Sequence, residues 1–224
     1  MSQATDTLRN PQGLPSGPSE PSSKRRSARS IVVVLLSLFG LTALDLATKG
    51  WAEQTLSRPR LGRLPPVCVP DGSGYIPPQR LRKESIPIVH GFLELEYAEN
   101  CGAAFGLLRN APEGLRKGLF GIAAVLAVGM LLYLFIQGRG GPLFAWSVPL
   151  VASGALGNLI DRIRYGYVVD FIHVFYEPWN FDYPTFNVAD ILITIGVILL
   201  MIDSFRSEPQ ASPKPAAQAL AERV

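Results

Sequence analysis

Four long apolar stretches dominate this chain, and each is close to the length of a membrane crossing. The first runs from Ile31 to about Thr48, the second from Gly118 to Ile136, the third from Leu143 to Ile160 and the fourth from Pro184 to Ile202. A helix needs about 20 apolar residues to cross a hydrocarbon layer ~30 Å thick. The second and third stretches carry no charge, the first only Asp45 and the fourth only Asp190. Four such runs in 224 residues are hard to place in a water-soluble core. The expected fold class is therefore an all-α membrane protein of four transmembrane helices.

The flanks have a different character. Residues 1–30 are rich in Ser, Pro, Gly and Gln and end in Lys24, Arg25, Arg26 and Arg29. Such a composition buries too little apolar surface to offset chain entropy, so a disordered basic tail is expected. The polar segment 205–224 reads the same way, leaving one membrane domain at 31–204. A basic stretch before Ile31–Leu44 also fits a secretory signal peptide. No clean Ala-x-Ala site follows Leu44, and Asp45 and Lys49 stand where cleavage would fall. An uncleaved helix is the better reading.

Basic residues near span ends set orientation. The tail before Ile31 argues for a cytoplasmic N-terminus, and four crossings return the C-terminus to the same side. The 50–117 and 164–183 segments then lie outside. Arg58, Arg60, Arg63, Arg80, Arg82 and Lys83 in the first of these run against that assignment, but the segment is long enough for loop charge to lose its grip on topology. Residues 57–80, rich in Pro, Gly and Arg, read as an irregular loop. Residues 86–97 alternate and favour one or two short strands, a small extracytoplasmic β subdomain.

On this topology the polar residues of the spans converge at one leaflet. Asp45 and Lys49 are four apart on one face at the outer end of the first helix. Gly154, Asn158 and Arg162 trace a stripe at the outer end of the third, with Asp161 beside them. Asn187 and Asp190 are three apart at the start of the fourth, with Asp190 one to two turns inside the apolar run. Asp170 lies in the short outer segment, and Asn100 leads back to the membrane. Groups of this kind facing lipid would be costly, so they should face one another around a pocket. Each also has a plain structural role open to it. Asp45–Lys49 can be a simple ion pair, and Asp161–Arg162 an anchor at the headgroup level. Asn158 can be a helix–helix hydrogen-bonding group, Ser153-x-x-x-Gly157 a close-packing contact and Asn187 a cap. Asp190 is the hardest to explain that way.

Two carboxylates on one pocket wall cannot both ionise easily; they share a proton, one acting as base and the other as acid. The base would draw a proton from water as it attacks a carbonyl, and the acid would polarise that carbonyl. The scheme needs no metal and no cofactor. No Gly-rich phosphate loop, His-rich metal motif or Gly-x-Ser-x-Gly elbow is present. Two cysteines and two histidines lack zinc-site spacing. A net charge of +3, with no basic stripe interleaved with aromatics, gives no reason to expect nucleic-acid binding.

At these residues the chain resembles the bacterial lipoprotein signal peptidases, or signal peptidase II. The matching pieces are Asp45-Leu-Ala-Thr-Lys49, Asn100-Cys-Gly-Ala-Ala-Phe-Gly106, Gly154-Ala-Leu-Gly-Asn-Leu-Ile-Asp-Arg162, Val168-Val-Asp-Phe171 and Phe186-Asn-Val-Ala-Asp190. They occur in family order over most of the chain. The resemblance implies a four-helix aspartyl endopeptidase of the bacterial inner membrane with an outer-leaflet site. It implies cleavage of prolipoproteins just before a diacylglyceryl-modified cysteine, and sensitivity to the peptide antibiotic globomycin. It makes Asp170 and Asp190 the catalytic pair and assigns supporting roles to Asp45, Lys49, Asn100, Gly154, Asn158, Asp161, Arg162 and Asn187. A monomer is expected. Cys101 stands where the family usually has Thr, the Pro-rich 57–80 stretch looks like an insertion and the N-terminal tail is long. Cys68 and Cys101 would share the oxidising side, and their spacing neither makes nor excludes a disulfide.

The rival functions are a small proton- or ion-coupled transporter, a thiol oxidoreductase and a structural membrane subunit. Intramembrane acids suit the transporter, but its site would lie near the midplane rather than at one leaflet. The oxidoreductase lacks a Cys-x-x-Cys. A structural subunit leaves the clustered carboxylates without a purpose.

Overall fold

The computed structural model describes residues 25–102 and 113–206. Among the described residues are four α-helices: α1 (Ala28–Leu56), α2 (Glu113–Ile136), α3 (Pro142–Arg164) and α4 (Val188–Arg206). Six strands lie between them: β1 (Ser57–Pro59), β2 (Arg80–Arg82), β3 (Ile86–Val89), β4 (Leu93–Asn100), β5 (Val168–Tyr176) and β6 (Phe181–Phe186). Helices α1, α3 and α4 are long and apolar enough to cross a membrane. The described apolar stretch of α2, Gly121–Ile136, is shorter.

The helices distribute their side chains in the inverse of a water-soluble bundle. Leu36, Phe39, Ile122 and Leu126 are 63–73% exposed, while Asp45, Lys49, Ser153 and Asp161 are at most 2% exposed. Apolar outside and polar inside is the arrangement that lipid, not water, stabilises. Helix α3 is the hub and packs on α1, α2 and α4. Its approach to α4 depends on Gly154, where a Cβ would come within 2.4 Å of the Ala189 carbonyl oxygen. Only a residue without a side chain lets the two backbones close to that separation.

The sheet β3-β4-β5-β6 is antiparallel throughout and stands at one end of the bundle. Strand β4 pairs Ala98 with Asp170 and Asn100 with Val168 on β5. Ala52 and Leu56 at the end of α1 pack with Tyr97, Tyr167, Val169 and Phe171 into a core that fixes the sheet on the helices. A second apolar core of Val34, Phe135, Phe144 and Val148 closes the opposite end.

The structure differs from the sequence expectations at several boundaries. Helix α4 begins at Val188, not Pro184, because residues 181–186 pair with β5. Asp190 therefore lies in the first turn of its helix rather than one to two turns inside it. The short segment before it, for which no strands were expected, contains β5 and leads into β6. The ends of the supposedly irregular 57–80 stretch are pinned by β1 pairing with β2. Helix α1 starts three residues earlier than its apolar run. Arg26 docks on the α2–α3 turn, donating to the carbonyl oxygens of Arg139 and Gly140 at 3.3 and 2.8 Å. The expectations for residues 1–24, 103–106 and 207–224 lie outside the described residues.

Candidate active site

The polar residues of α1, α3, β4, β5 and α4 form one connected network at the sheet end of the bundle. Its cationic centre is Lys49, 2% exposed. The Lys49 Nζ stands 2.9 Å from Asp45 Oδ2 and 3.2 Å from Asp161 Oδ2, and it donates to Asn158 Oδ1 at 2.8 Å. Three oxygens thus surround the ammonium, one by a hydrogen bond and two as carboxylate counter-charges. The i,i+4 pair expected from sequence is thus one edge of a larger cluster. Asp45 extends it to α4 by accepting the Ala189 N–H at 2.8 Å. Gly157 makes room, since a Cβ there would meet Asp45 Oδ2 at 2.1 Å. Asp161 extends the cluster to the sheet by accepting the Val169 N–H at 3.1 Å, next to Asp170.

Lys49 also sets the amide orientation of Asn158. A lysine can only donate, so the oxygen of Asn158 faces it and the amide nitrogen points away. That nitrogen donates to Asp190 Oδ1 at 2.9 Å. Asn187 is fixed by the same logic. Its oxygen accepts the Asp190 N–H at 3.1 Å, leaving its nitrogen to donate to Asp170 Oδ1 at 2.6 Å and to Asn158 Oδ1 at 3.2 Å. Asn187 and Asp190 also form a reciprocal cap on α4, because Asp190 Oδ2 accepts the Asn187 N–H at 3.2 Å. On the other side, Asn100 accepts the Gly102 N–H and donates to Asp170 Oδ2 at 2.9 Å.

Asp170 and Asp190 are thus bridged by Asn187, and each carboxylate receives oriented donors. Their surroundings differ. Asp170 is 1% exposed, whereas Asp190 is half-buried. Burial, and then the neighbouring charge of Asp190, push the Asp170 carboxyl up to about 7 against the Asn100 and Asn187 donors. Arg162 lies one step out, donating to the carbonyl oxygens of Asn158 and Gly102 at 3.2 and 3.0 Å. All ten residues singled out from sequence therefore fall in this network or, for Gly154, in the helix contact that permits it.

A cavity of about 630 Å³ opens beside Asp170, between β4 and the 57–80 stretch. Asn100 and Gly102 line its inner wall, and Tyr75, Ile76 and Pro78 its outer wall. Two devices hold the outer wall in place. Glu99 accepts the N–H groups of Gln79 and Arg80 at 2.7 and 2.9 Å, and a disulfide joins Cys68 to Cys101. Tyr75, Ile76 and Pro78 gave no sequence signal, since their role depends on the loop folding back over β4. The Cys68–Cys101 pairing, left open by the sequence, is made.

Glu94, Glu96 and His173 on β4 and β5 are the grouping among the described residues whose ligand atoms could meet at one metal ion. Each already has other partners. Ser85 donates to Glu94, Arg82 and Thr185 engage Glu96, and the second ring nitrogen of His173 faces Asp182. The site reads as a polar clasp across the sheet.

Two carboxylates sharing a buried amide bridge, one proton-holding and one open to solvent, are the equipment for activating water against a carbonyl. Residues 37–206 match the family model described as signal peptidase (SPase) II. The chain belongs to the signal peptidase II family. Its relatives include the lipoprotein signal peptidase of Clostridium tetani, 36% identical over 77% of this chain and 89% of the relative. That of Syntrophus aciditrophicus is 39% identical over 58% of this chain and 80% of the relative. Among solved structures, a bacterial membrane enzyme determined in meso at 2.3 Å is similar with a TM-score of 0.59 and 25% identity. That likeness covers 86% of this chain and 98% of the other. A second, at 1.9 Å, gives a TM-score of 0.56 and 26% identity over 84% and 99%. This signal peptidase is thus a membrane enzyme in which family and fold agree.

Proposed function

We propose that this signal peptidase hydrolyses prolipoproteins on the N-terminal side of a diacylglyceryl-modified cysteine, with Asp170 and Asp190 as the catalytic pair. The observation that carries the assignment is the Asn187 bridge. One side chain donates to Asp170 and caps the turn that holds Asp190. Asp170 keeps its proton near neutrality and polarises the scissile carbonyl. Asp190, more open and receiving donors on both oxygens, takes a proton from the attacking water. Asp170 then supplies its proton as the amine departs. Lys49, Asp45, Asp161 and Asn158 position the pair, Asn100 and Arg162 hold the rim, and Gly154 sets the helix separation. Family membership favours this reading over a transporter.

All four helices cross the inner membrane in this proposal, with both termini cytoplasmic and the sheet and carboxylates at the outer leaflet. Residues 31–204 act as one peptidase domain, as a monomer. The exposed apolar faces of α1, α2 and α4 meet lipid, so the acyl chains of the substrate can stay in the bilayer while its peptide reaches the cavity beside Asp170. The test is cleavage of a diacylglyceryl-modified prolipoprotein by purified enzyme beside Asp170→Asn and Asp190→Asn. Wild type should cut it and both folded variants should lose nearly all activity. A folded wild type that leaves the substrate intact overturns the substrate; a variant that still cuts overturns the pair.

A further inference from the structure

The end of the bundle remote from the carboxylates contains a second cavity of about 250 Å³, between α1 and α3 with Phe135 of α2. Its lining is mainly apolar, made by Val33, Val34, Phe135, Ala145, Trp146 and Pro149 with Ser37 among them, and Arg26, Arg29 and Ser30 complete it. Trp146 and Val33 are 60% and 48% exposed, so the slot opens sideways where lipid would lie.

Arg26 is held ready rather than neutralised. Its guanidinium lies 5.3 Å over the Phe135 ring, and its Nη2 donates to two carbonyls of the α2–α3 turn. Its Nε is buried and has no hydrogen-bond partner among the described residues. Arg29 is exposed one position into α1, among no carboxylates of its own turn. Asp203 of α4 accepts the Gly141 N–H of the α2–α3 turn at 2.9 Å. An apolar slot roofed by two guanidiniums, one with an unsatisfied buried donor, is complementary to an acyl chain beneath a phosphate. Basic pockets between membrane helices select anionic headgroups on that ground, and a quaternary or primary ammonium beside the phosphate would be repelled by the same arginines.

We propose that this slot is a binding site for one anionic phospholipid, its phosphate held by Arg26 and Arg29 and one acyl chain running along Trp146. The site is separate from the peptidase network and does not depend on which substrate that network cuts.

The test uses the full chain in phosphatidylcholine nanodiscs, titrated with phosphatidylglycerol brominated on its acyl chains. Bromine quenches a tryptophan it touches, and Trp146→Phe identifies the part of the quenching that belongs to the slot. Brominated phosphatidylglycerol should quench Trp146 at roughly tenfold lower mole fraction than brominated phosphatidylcholine, as two arginines near an anionic headgroup imply. Arg26→Gln with Arg29→Gln should abolish that preference while prolipoprotein cleavage persists. Arg29→Gln alone, which leaves the Arg26 contacts intact, should reduce it partway. Equal quenching by the two lipids, or a preference that survives the double substitution, overturns the proposal. A Trp146 shielded from both lipids does so too, since the slot would then be filled by the chain itself.

Discussion

Asn187 and Asp190 cap each other at the first turn of α4, side chain to backbone in both directions, at 3.1 and 3.2 Å. The same Asn187 side chain donates to Asp170 at 2.6 Å. One residue thus serves helix stability and carboxylate placement through different atoms, and substitutions can separate the two. Asn187→Ala should cost about 1 kcal/mol of stability through the lost cap and about 100-fold in kcat through misplacement of the pair. Asn187→Ser keeps a good capping oxygen but has no amide nitrogen. It should recover the melting temperature and not the rate. If Ser restored both, the bridge to Asp170 would be incidental.

The raised Asp170 carboxyl gives the reaction a direction in pH. Burial and Asp190 hold its proton on up to about 7. Below that value the acid is present, and as pH rises through it the acid is lost. The measurement is kcat/KM from pH 5 to 9 with enzyme shown to stay folded. Activity should fall about tenfold per unit on the alkaline side. A rate that climbs steadily to pH 9 would mean that Asp170 acts as the base.

Much of this site was legible in the sequence because its chemistry is concentrated in rare residues. Charges and amides within apolar runs stand out, and helical spacing places Asp45 with Lys49 and Asn158 with Arg162 on shared faces. The connections between elements were not legible. That Lys49 reaches Asp161 and Asn158 on another helix depends on α1 packing against α3, which depends on Gly157. Strands β5 and β6 were missed because Val168–Phe175 borders a hydrophobic helix and β6 contains Pro184, a residue that argues against a central strand. β6 is an edge strand, where proline is tolerated. The start of α4 was misplaced for the same reason: Pro184-Thr-Phe is apolar enough to extend the helical run, and only its pairing with β5 removes it.

Lys49 is the most exposed of these dependencies to test. It is a buried cation between two buried carboxylates. Removing it leaves Asp45 and Asp161 without their counter-charge, which typically costs about 3–5 kcal/mol. Lys49→Met should therefore lower the thermal unfolding temperature in detergent sharply. Gly157→Ala reaches the same cluster without changing a charge, since its Cβ would meet Asp45 Oδ2 at 2.1 Å. Both variants should lose activity together with stability. A Lys49→Met enzyme that melts like wild type would show that the cluster is more hydrated than its burial indicates.

The disulfide ties the outer wall of the cavity to the residue next to Asn100, and Asn100 donates to Asp170. Cys68 and Cys101 are separated by 33 positions, so closing that loop stabilises the fold by about 3–4 kcal/mol in the chain-entropy account. Reduction should leave the wall held to β4 by the Glu99 contacts alone and loosen Asn100 at the same moment. Treatment with dithiothreitol is expected to lower kcat about tenfold, by analogy with small displacements of positioned catalytic groups, and reoxidation should restore it. Cys68→Ser with Cys101→Ser should start at the lowered rate and ignore dithiothreitol. This control separates the bond from any effect of the reductant on substrate. If the reduced enzyme kept its full rate and only its melting temperature fell, the disulfide would stabilise the wall without any influence on Asp170.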